Sequence, residues 1–334
     1  MRIAFDDALS VMREKLVEHG TSPEKAGMVA YEMARNSLEG TYTHGINRFA
    51  RLIRGIDSGI VIPGAEPSLI SSFGAIERYD GNLGFGITNA LFAMDRAMAK
   101  ASEHGIGMAG LVNTNHWMRA ATYGYHAVEK GYAAICFTNT IPNMPAWGAV
   151  DSRLGNNPFV MAFPRKDGRH MVFDSAMTQF SYGALEVARL AGERMSVAAG
   201  FDKDGLLSDD PAAVLETRRM IPAGFWKGSA LSFLLDIFAS CITLGRCVAD
   251  ISRLEGDEHG VSQLFFAIDY GKMVDEEEAY RTAERAIAFL KESKKADGAG
   301  EIVYPGERMM RARERNLREG IPVDDGVWNE ILSL

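Results

Sequence analysis

The first 60 residues carry apolar positions at helical spacing, and the middle of the chain alternates short apolar runs with glycine-rich breaks. Phe5 to Glu18 reads as a short amphipathic helix stopped by Gly20, after which Ser22 and Pro23 supply an N-cap and a first-turn proline. Ala26, Val29, Ala30, Met33, Ala34 and Leu38 follow the helical period up to Gly40. The pattern predicts one further helix over Gly40 to Arg54, with Thr43 as its N-cap. At about 100° per residue, His44, Arg48 and Arg51 share one face of that helix, and Ile46, Phe49, Ala50 and Ile53 share the opposite one.

The pattern changes after Pro63. Ile70 to Tyr79 reads as a strand, Gly81, Gly84 and Gly86 punctuate a loop, and Ile87 to Ser102 returns to the helical period, so a domain boundary is expected near residue 75. Gly105 to Gly110 spells G-x-G-x-x-G, but a helix precedes it and a strand follows, the reverse of a dinucleotide-binding turn. Met108 to Val112 and Tyr132 to Phe137 read as strands flanking a helix from about Met118 to Lys130, a β-α-β unit. Its strands run out into Asn113-Thr-Asn-His116-Trp and Thr138-Asn-Thr140, and parallel sheets collect ligands at such carboxyl ends. His116 and Thr140 therefore become site candidates, with a locally bonded loop histidine as the plain alternative for His116.

Phe159 to Phe163 and His170 to Phe173 are short runs joined across Asp167-Gly168, a hairpin signal that makes the sheet mixed. Asp174, Ser175 and Ala176 follow, either an ordinary strand-end turn or a place where a cofactor approaches the backbone. Phe180 to Glu193 reads as a helix, Phe201 to Glu216 as an irregular acidic excursion, and Leu231 to Leu244 as a helix apolar nearly all round and hence buried. Lys227 at its mouth is either a snorkelling surface cation or an anion ligand. Ser262 to Ile268 is a further strand, and Glu276 to Lys294 a further helix. Tyr304-Pro-Gly306-Glu307-Arg308 is a turn that opens the next helix and offers backbone N–H groups to phosphate, or simply starts it.

Charge narrows the classes. With 36 Lys+Arg against 44 Asp+Glu the chain has the wrong sign for a general nucleic-acid or anionic-membrane binder. Cys136, Cys241 and Cys247 show no C-x-x-C spacing, and the seven histidines form no metal motif, so neither disulfides nor metal chemistry are expected and a reducing cytoplasm fits. No apolar run reaches the roughly 18 residues of a membrane span, and no export or anchoring segment is expected. His44 beside Arg48 suits a 2-keto acid: an imidazolium gives a proton to the carbonyl oxygen while the guanidinium fork holds the neighbouring carboxylate. A solvated helix face with the same residues is the plain alternative.

Five motifs together carry a resemblance that none carries alone: Thr43-His44-Gly-Ile-Asn47-Arg48-Phe, Asn113-Thr-Asn-His116-Trp-Met-Arg119, Gly155-Asn-Asn-Pro158, Phe225-Trp226-Lys227-Gly-Ser229 and Pro305-Gly306-Glu307. Over essentially its whole length the chain resembles the malate/L-lactate dehydrogenase family that lacks a Rossmann fold, and within it the branch reducing 2,3-diketo-L-gulonate. The resemblance implies an α/β protein in which a mixed-sheet cofactor domain, residues 76–231, is interwoven with a mainly helical domain from both chain ends, residues 1–75 and 232–334. It implies NADH as cofactor, with NADPH open, a small keto-acid substrate and a homodimer. His44 corresponds to the proton donor of the reductase branch and His116 to that of ureidoglycolate dehydrogenases. Arg48, Thr43, Asn47 and Arg119 correspond to substrate positions. The cofactor would run past Thr140, then Val172, Phe173, Asp174, Ser175, Ala176, Met177 and Thr178, then Trp226 and Lys227, and finally Gly306, Glu307 and Arg308. Three positions depart from the family pattern: Thr43 for serine, Asn156 for threonine and Ala230 for glycine. Sister dehydrogenases of malate, lactate, sulfolactate or ureidoglycolate, and a binding protein without turnover, are the competing readings.

Overall fold

A computed structural model describes all residues 1–334. Arg2–Ile3 (β1) leads into Phe5–Glu18 (α1) and Pro23–Leu38 (α2). The side chain of Ser22 caps α2 by accepting from the Lys25 N–H, with Pro23 in the first turn. The single helix expected over Gly40 to Arg54 is interrupted. Tyr42–His44 and Ile46–Arg48 are separate 3-10 turns, and only Phe49–Asp57 (α3) is α-helical. The cause is Gly45, where φ −122° and ψ −128° take the backbone out of the helical region. A Cβ there would stand 2.7 Å from the Met33 carbonyl oxygen and 2.8 Å from the Ser37 nitrogen. The chain thus docks on α2, where Ser37 Oγ accepts from Ile46 N–H at 2.8 Å. Thr43 lies inside the first 3-10 turn and does not cap it.

The strand expected over Ile70 to Tyr79 is a hairpin, Ser68–Phe73 (β2) and Ile76–Asp80 (β3), turning at Gly74 with φ 55°. Gly86–His104 (α4) ends at Gly105, whose φ of 84° is the left-handed helix end that leads directly into Ile106–Thr114 (β4). The G-x-G-x-x-G stretch is therefore a helix-to-strand turn. Ala121–Val128 (α5), Ala133–Thr138 (β5), Pro142–Pro145 (β6), Ser152–Gly155 (β7), Phe159–Phe163 (β8) and Met171–Ser175 (β9) follow. Next come Tyr182–Ala191 (α6), Gly200–Phe201 (β10), Leu207–Ser208 (β11) and Pro211–Thr217 (α7), so the acidic excursion holds a small hairpin and a helix rather than irregular chain. The last third contains Trp226–Thr243 (α8), Val248–Ile251 (α9), Val261–Ile268 (β12), Glu276–Lys291 (α10), Glu307–Glu319 (α11), Ile321–Pro322 (β13) and Asp325–Ser333 (α12).

Seven strands form one sheet in the order β2-β3-β4-β12-β5-β8-β9. Only β3 and β4 pair in parallel; every other neighbour is antiparallel. β12, which lies within the 232–334 segment assigned to the helical domain, stands between β4 and β5 at the centre of the sheet. β2 likewise joins the sheet from the N-terminal side of the expected boundary at 75. β4 and β5 keep the common direction of a β-α-β unit because both run antiparallel to β12, and their carboxyl ends open on one edge.

Alternation along β12 assigns the two faces. Phe265 and Ala267 join the core shared with α4, α5, α1 and α2, whereas Leu264 packs with Leu235 and Ala239 of α8. The N-terminal helices and one face of the sheet thus share a continuous core. Although α8 is apolar nearly all round, it is not buried in the single chain: Leu231, Phe233, Leu234, Phe238 and Ile242 are exposed. No helix is long and apolar enough to cross a membrane.

Candidate active site

The loops leaving β4 and β5 are pinned by buried amides. Asn115 Nδ2 donates to the carbonyl oxygens of Ile60, Leu83 and Gly84 at 3.1, 2.8 and 3.0 Å, so this side chain locks the loop rather than offering a free donor. Asn139 Nδ2 donates to Asp236 Oδ1 and to the Arg246 carbonyl, and its Oδ1 accepts from Ser262 N–H. Thr140 is buried, its N–H donating to Asn157 Oδ1 at 3.0 Å and its hydroxyl to Asn156 Oδ1 at 3.1 Å.

Against this edge the two histidines meet. The rings of His44 and His116 are stacked, with centroids 5.6 Å apart and planes 12° from parallel. Asn36 Nδ2 holds the His44 carbonyl at 3.0 Å, and Thr43 Oγ1 lies 3.1 Å from His44 Nδ1, which leaves His44 Nε2 without a partner in the chain. His116 is placed differently. Its Nδ1 accepts from the Met118 backbone N–H at 2.9 Å, which puts the ring proton on Nε2, 4.0 Å from Glu258 Oε1.

Charge surrounds the pair unevenly. Arg51 is taken by Asp257 through two bonds of 2.7 and 2.8 Å, while the Arg48 guanidinium forms no hydrogen bond or ion pair within the chain. Burial, with Arg48 and Arg119 nearby, holds the His44 imidazole down to about 4. Burial followed by Arg48, His44 and Arg51 lowers that of His116 well below its ordinary value. Both rings are neutral near pH 7. Asn47 is exposed on the turn preceding Arg48.

Arg119 is not a free substrate ligand. Its guanidinium, 5% exposed, is ion-paired with Glu39, contacts Met309 Sδ at 2.7 Å and lies 5.5 Å over the Tyr125 ring. Glu39 also binds Arg35 at 3.0 Å and Arg313 at 3.1 Å, so α2, the loop after β4 and α11 are joined at one buried carboxylate. Arg119 instead forms part of the wall of a cavity of about 480 Å³. That cavity is also lined by Val172, Phe173 and Asp174 from β9, and by Gly306 and Arg308 from the start of α11.

Val172 N–H donates to the Pro305 carbonyl at 3.1 Å, and Asp174 Oδ2 accepts from Ala121 N–H at 2.8 Å. Gly306 has φ 102°, and a Cβ there would come within 2.8 Å of the His170 carbonyl and 3.0 Å of Tyr125 Oη. Tyr125 also lines the cavity, and its hydroxyl is buried without a hydrogen-bond partner. A glycine cradle, an orphaned hydroxyl and the guanidinium of Arg308 fit a phosphate- and hydroxyl-bearing cofactor. Glu307 does not offer a free carboxylate, since Lys291 and Arg311 bind it at 2.5 and 2.6 Å.

The other expected cofactor residues lie beyond this cavity. Ser175 Oγ donates to the Ala176 carbonyl, Met177 is packed in the core with Leu235 and Leu264, and Thr178 carries a buried hydroxyl with no partner. Ala223 N–H donates to the Met177 carbonyl at 2.8 Å, which brings this segment beside the start of α8. Trp226 and Lys227 are exposed there.

Residues 3–332 match the family described as malate/L-lactate dehydrogenase. The chain belongs to the malate/L-lactate dehydrogenase family. It is accordingly an oxidoreductase of a family whose dehydrogenases and reductases use a nicotinamide cofactor. It is 42% identical to the 2,3-diketo-L-gulonate reductases of Klebsiella pneumoniae (strain 342) and of Citrobacter koseri, over 334 residues and the full length of each. Among solved structures, it is similar to malate dehydrogenase from Entamoeba histolytica at TM-score 0.93 and 26% identity, covering 100% of this chain and 96% of that one. It is also similar to sulfolactate dehydrogenase from Methanocaldococcus jannaschii at TM-score 0.91 and 26% identity, covering 99% and 95%.

Within this family frame, three residues stand at the site that sequence reasoning passed over: Glu39, Tyr125 and Glu258. No motif spacing marks them. Glu39 closes a predicted helix, Tyr125 sits inside one, and Glu258 lies in a loop whose approach to His116 depends on β12 entering the sheet. The one available signal was charge: an acid directly before the Gly40 break, at a helix C-terminus, calls for basic partners.

Proposed function

We propose that this protein is an NADH-dependent reductase of a 2-keto sugar acid, converting 2,3-diketo-L-gulonate to 3-dehydro-L-gulonate. The observation that carries the reading is His44 with an unpartnered Nε2 near Arg48, whose guanidinium makes no direct ion pair or hydrogen bond in the chain. The full-length relatives named 2,3-diketo-L-gulonate reductase support the substrate.

A substrate carboxylate binds Arg48 through the planar fork, which orients the adjacent carbonyl toward His44 Nε2. A bound nicotinamide supplies the hydride to the carbonyl carbon. His44 gives its proton to the carbonyl oxygen as negative charge develops there. Burial, then Arg48 and Arg119, hold the His44 pKa down in the free protein, so the arriving carboxylate, which offsets Arg48, raises the proton affinity of the imidazole when it is needed. Thr43 Oγ1 holds His44 Nδ1 and so aims Nε2. His116 backs the donor as a stacked neutral ring, Asn47 offers an exposed amide to substrate hydroxyls, and Arg119 shapes the wall toward the cofactor.

The residues that fit the cofactor are Val172, Phe173, Asp174, Gly306 and Arg308 around the cavity, with Ser175, Ala176, Met177, Thr178, Trp226 and Lys227 continuing past it and Glu307 fixing the turn. Thr140 shapes the edge nearby. The exposed apolar side of α8 supports a homodimer, since such a surface is costly to leave in water. Three free thiols support a reducing cytoplasm.

The test is a substrate panel with NADH, followed by loss of its absorbance. A kcat/KM for 2,3-diketo-L-gulonate at least about 100-fold above pyruvate and oxaloacetate is expected, because a pocket built for hydroxyls leaves its polar groups unpaired against a smaller acid. Equal or better turnover of pyruvate or oxaloacetate would favour a sister dehydrogenase. No turnover of any keto acid would favour a binding protein.

A further inference from the structure

Glu258 is the one buried carboxyl at the histidine pair, and the chemistry above does not use it. Its side chain is 8% exposed. One carboxylate oxygen accepts from Ile141 N–H at 2.8 Å, and the other lies 4.0 Å from His116 Nε2. The opposite edge of the same imidazole accepts the Met118 N–H at 2.9 Å, and Met118 adopts φ 62°, a left-handed conformation that a β-unbranched residue takes up only under constraint. His116 is therefore hydrogen-bonded at Nδ1 by a backbone donor and faced at Nε2, across 4.0 Å, by a carboxylate.

We propose that Glu258 is a positioning residue of the proton-transfer site, holding His116 in the Nε2–H tautomer and so fixing the ring on which His44 stacks. This rests on the reductase reading for its role in turnover, but the tautomer itself does not.

A carboxylate is needed at 258 because it has two acceptor oxygens, one for Ile141 N–H and one facing His116 Nε2–H. A glutamine has a single acceptor. If its oxygen serves Ile141, its NH2 faces an N–H of His116; relief by moving the ring proton to Nδ1 would oppose the Met118 N–H. An orienting carboxylate of this kind fixes a catalytic tautomer without itself touching substrate. Its charge has a second consequence. Arg48 and Arg51 are the cations acting on Glu258, with Asp257 a second acid already bound to Arg51, while Arg119, paired with Glu39, is a further cation near His44. Burial raises the Glu258 pKa, while the Ile141 N–H, Arg48 and Arg51 draw it back down. Where Glu258 is ionised, loss of this negative charge leaves the cations less compensated and lowers the proton affinity of the histidine pair.

The experiment is nitrogen NMR of the full chain carrying 15N-labelled histidine, without substrate or cofactor, alongside steady-state kinetics. In the wild type the His116 ring is expected as the Nε2–H tautomer across pH 6–8; the Nδ1–H tautomer there would overturn the proposal with no variant needed. In Glu258→Gln the His116 signals should move toward mixed tautomers, and the kcat/KM of keto-acid reduction should fall about tenfold or more. The fall of kcat with pH, set in the complex where the substrate carboxylate has raised the His44 pKa into the range in which Glu258 is ionised, should also shift to lower pH by about one unit or more. Glu258→Asp keeps the charge and should leave the profile within a few tenths of a unit of wild type. Histidine signals and pH profile unchanged in Glu258→Gln, with only thermal stability reduced, would make Glu258 a structural residue and end the proposal. Moved signals without any keto-acid turnover would count against the reductase reading and leave the tautomer assignment standing.

Discussion

His44 lies face to face on His116, with ring centroids 5.6 Å apart and planes 12° from parallel, yet the two rings are not equivalent. His116 has its Nδ1 filled by a backbone N–H and its Nε2 turned to Glu258, whereas His44 keeps Nε2 free and is steadied only at Nδ1 by Thr43. A ring bonded at one nitrogen and faced by a carboxylate at the other suits a scaffold, and a ring with one free nitrogen beside a guanidinium suits the donor proposed above.

Removal of the donor nitrogen should therefore separate the two. His44→Asn is expected to lower kcat by about 100-fold or more with little change in NADH binding, and His116→Asn to cost less. Stopped-flow turnover together with a fluorescence titration of NADH measures both. If His116→Asn alone abolishes turnover, the roles are exchanged and the ureidoglycolate-type assignment holds.

The pH dependence follows from the depressed His44 pKa. Reduction requires the imidazolium, whose fraction in the free protein declines once pH exceeds about 4, so kcat/KM for reduction should fall as pH rises from about 5 to 8. The substrate carboxylate raises this pKa in the complex, so the fall in kcat should lie at higher pH than that in kcat/KM. The same group affects stability. The unfolded histidine takes up a proton near about 6.5 and the folded one only near about 4, so its contribution is full above about 6.5 and is lost as pH falls toward about 4. Thermal melts of His44→Asn should show a weaker loss over that window, and a profile of kcat/KM flat across it would remove histidine as the acid.

Arg48 and Arg51 are neighbours with opposite fates, one unpaired and one held twice by Asp257. Arg48→Lys keeps the charge but loses the planar fork, and kcat/KM should drop about 10- to 100-fold. Arg51→Lys should change it by less than about threefold, because Asp257 already occupies that guanidinium. Equal losses from the two substitutions would deny Arg48 its carboxylate role.

On the cofactor side, Gly306→Ala adds a methyl where the backbone has φ 102° and where Tyr125 Oη and the His170 carbonyl stand within about 3 Å. NADH affinity should weaken measurably by fluorescence titration. Lys227→Ala should weaken it by about 1.5–3 kcal/mol if its ammonium makes a charge-assisted contact with the diphosphate. Unchanged affinity in that variant returns Lys227 to the exposed surface. Parallel titrations with NADPH decide between the two cofactors.

The exposed face of α8 gives a separate test. Phe238 and Leu234 are 50% and 51% exposed in the single chain. Phe238→Glu places a charge on that face and should shift a homodimer toward monomer in sedimentation velocity, with the fold retained by circular dichroism. A wild type that sediments as a monomer at micromolar concentration would remove the dimer.

Much of the architecture was legible along the chain because helices and strands are periodic over short distances. α2 is capped by Ser22 and opened by Pro23 as its sequence demands, α4 ends at Gly105, and the β8–β9 hairpin turns at Asp167-Gly168. The histidine and arginine motifs could be picked out because the sequence spells them, although the helix expected to set His44 and Arg48 on one face is broken at Gly45. The apolar pattern of α8, by contrast, could not say whether the molecule's own core or another surface covers it.

What only the tertiary structure decided depends on residues far apart in sequence. β12 enters the sheet between β4 and β5 although more than a hundred residues separate it from either, and no local period encodes a strand's neighbours. Gly45 breaks the expected helix because α2 lies too close for a side chain, a steric fact invisible in the Thr-His-Gly-Ile spacing. Arg119, expected at the substrate, is ion-paired with Glu39, 80 positions away, and Glu258 meets His116 only where folding carries it there. The sequence by itself determined the local elements and the kinds of chemical group available. Contact through space decided which charges are paired and which remain free to act, because ionic and hydrogen-bonding energies depend on distance in three dimensions rather than on separation along the chain.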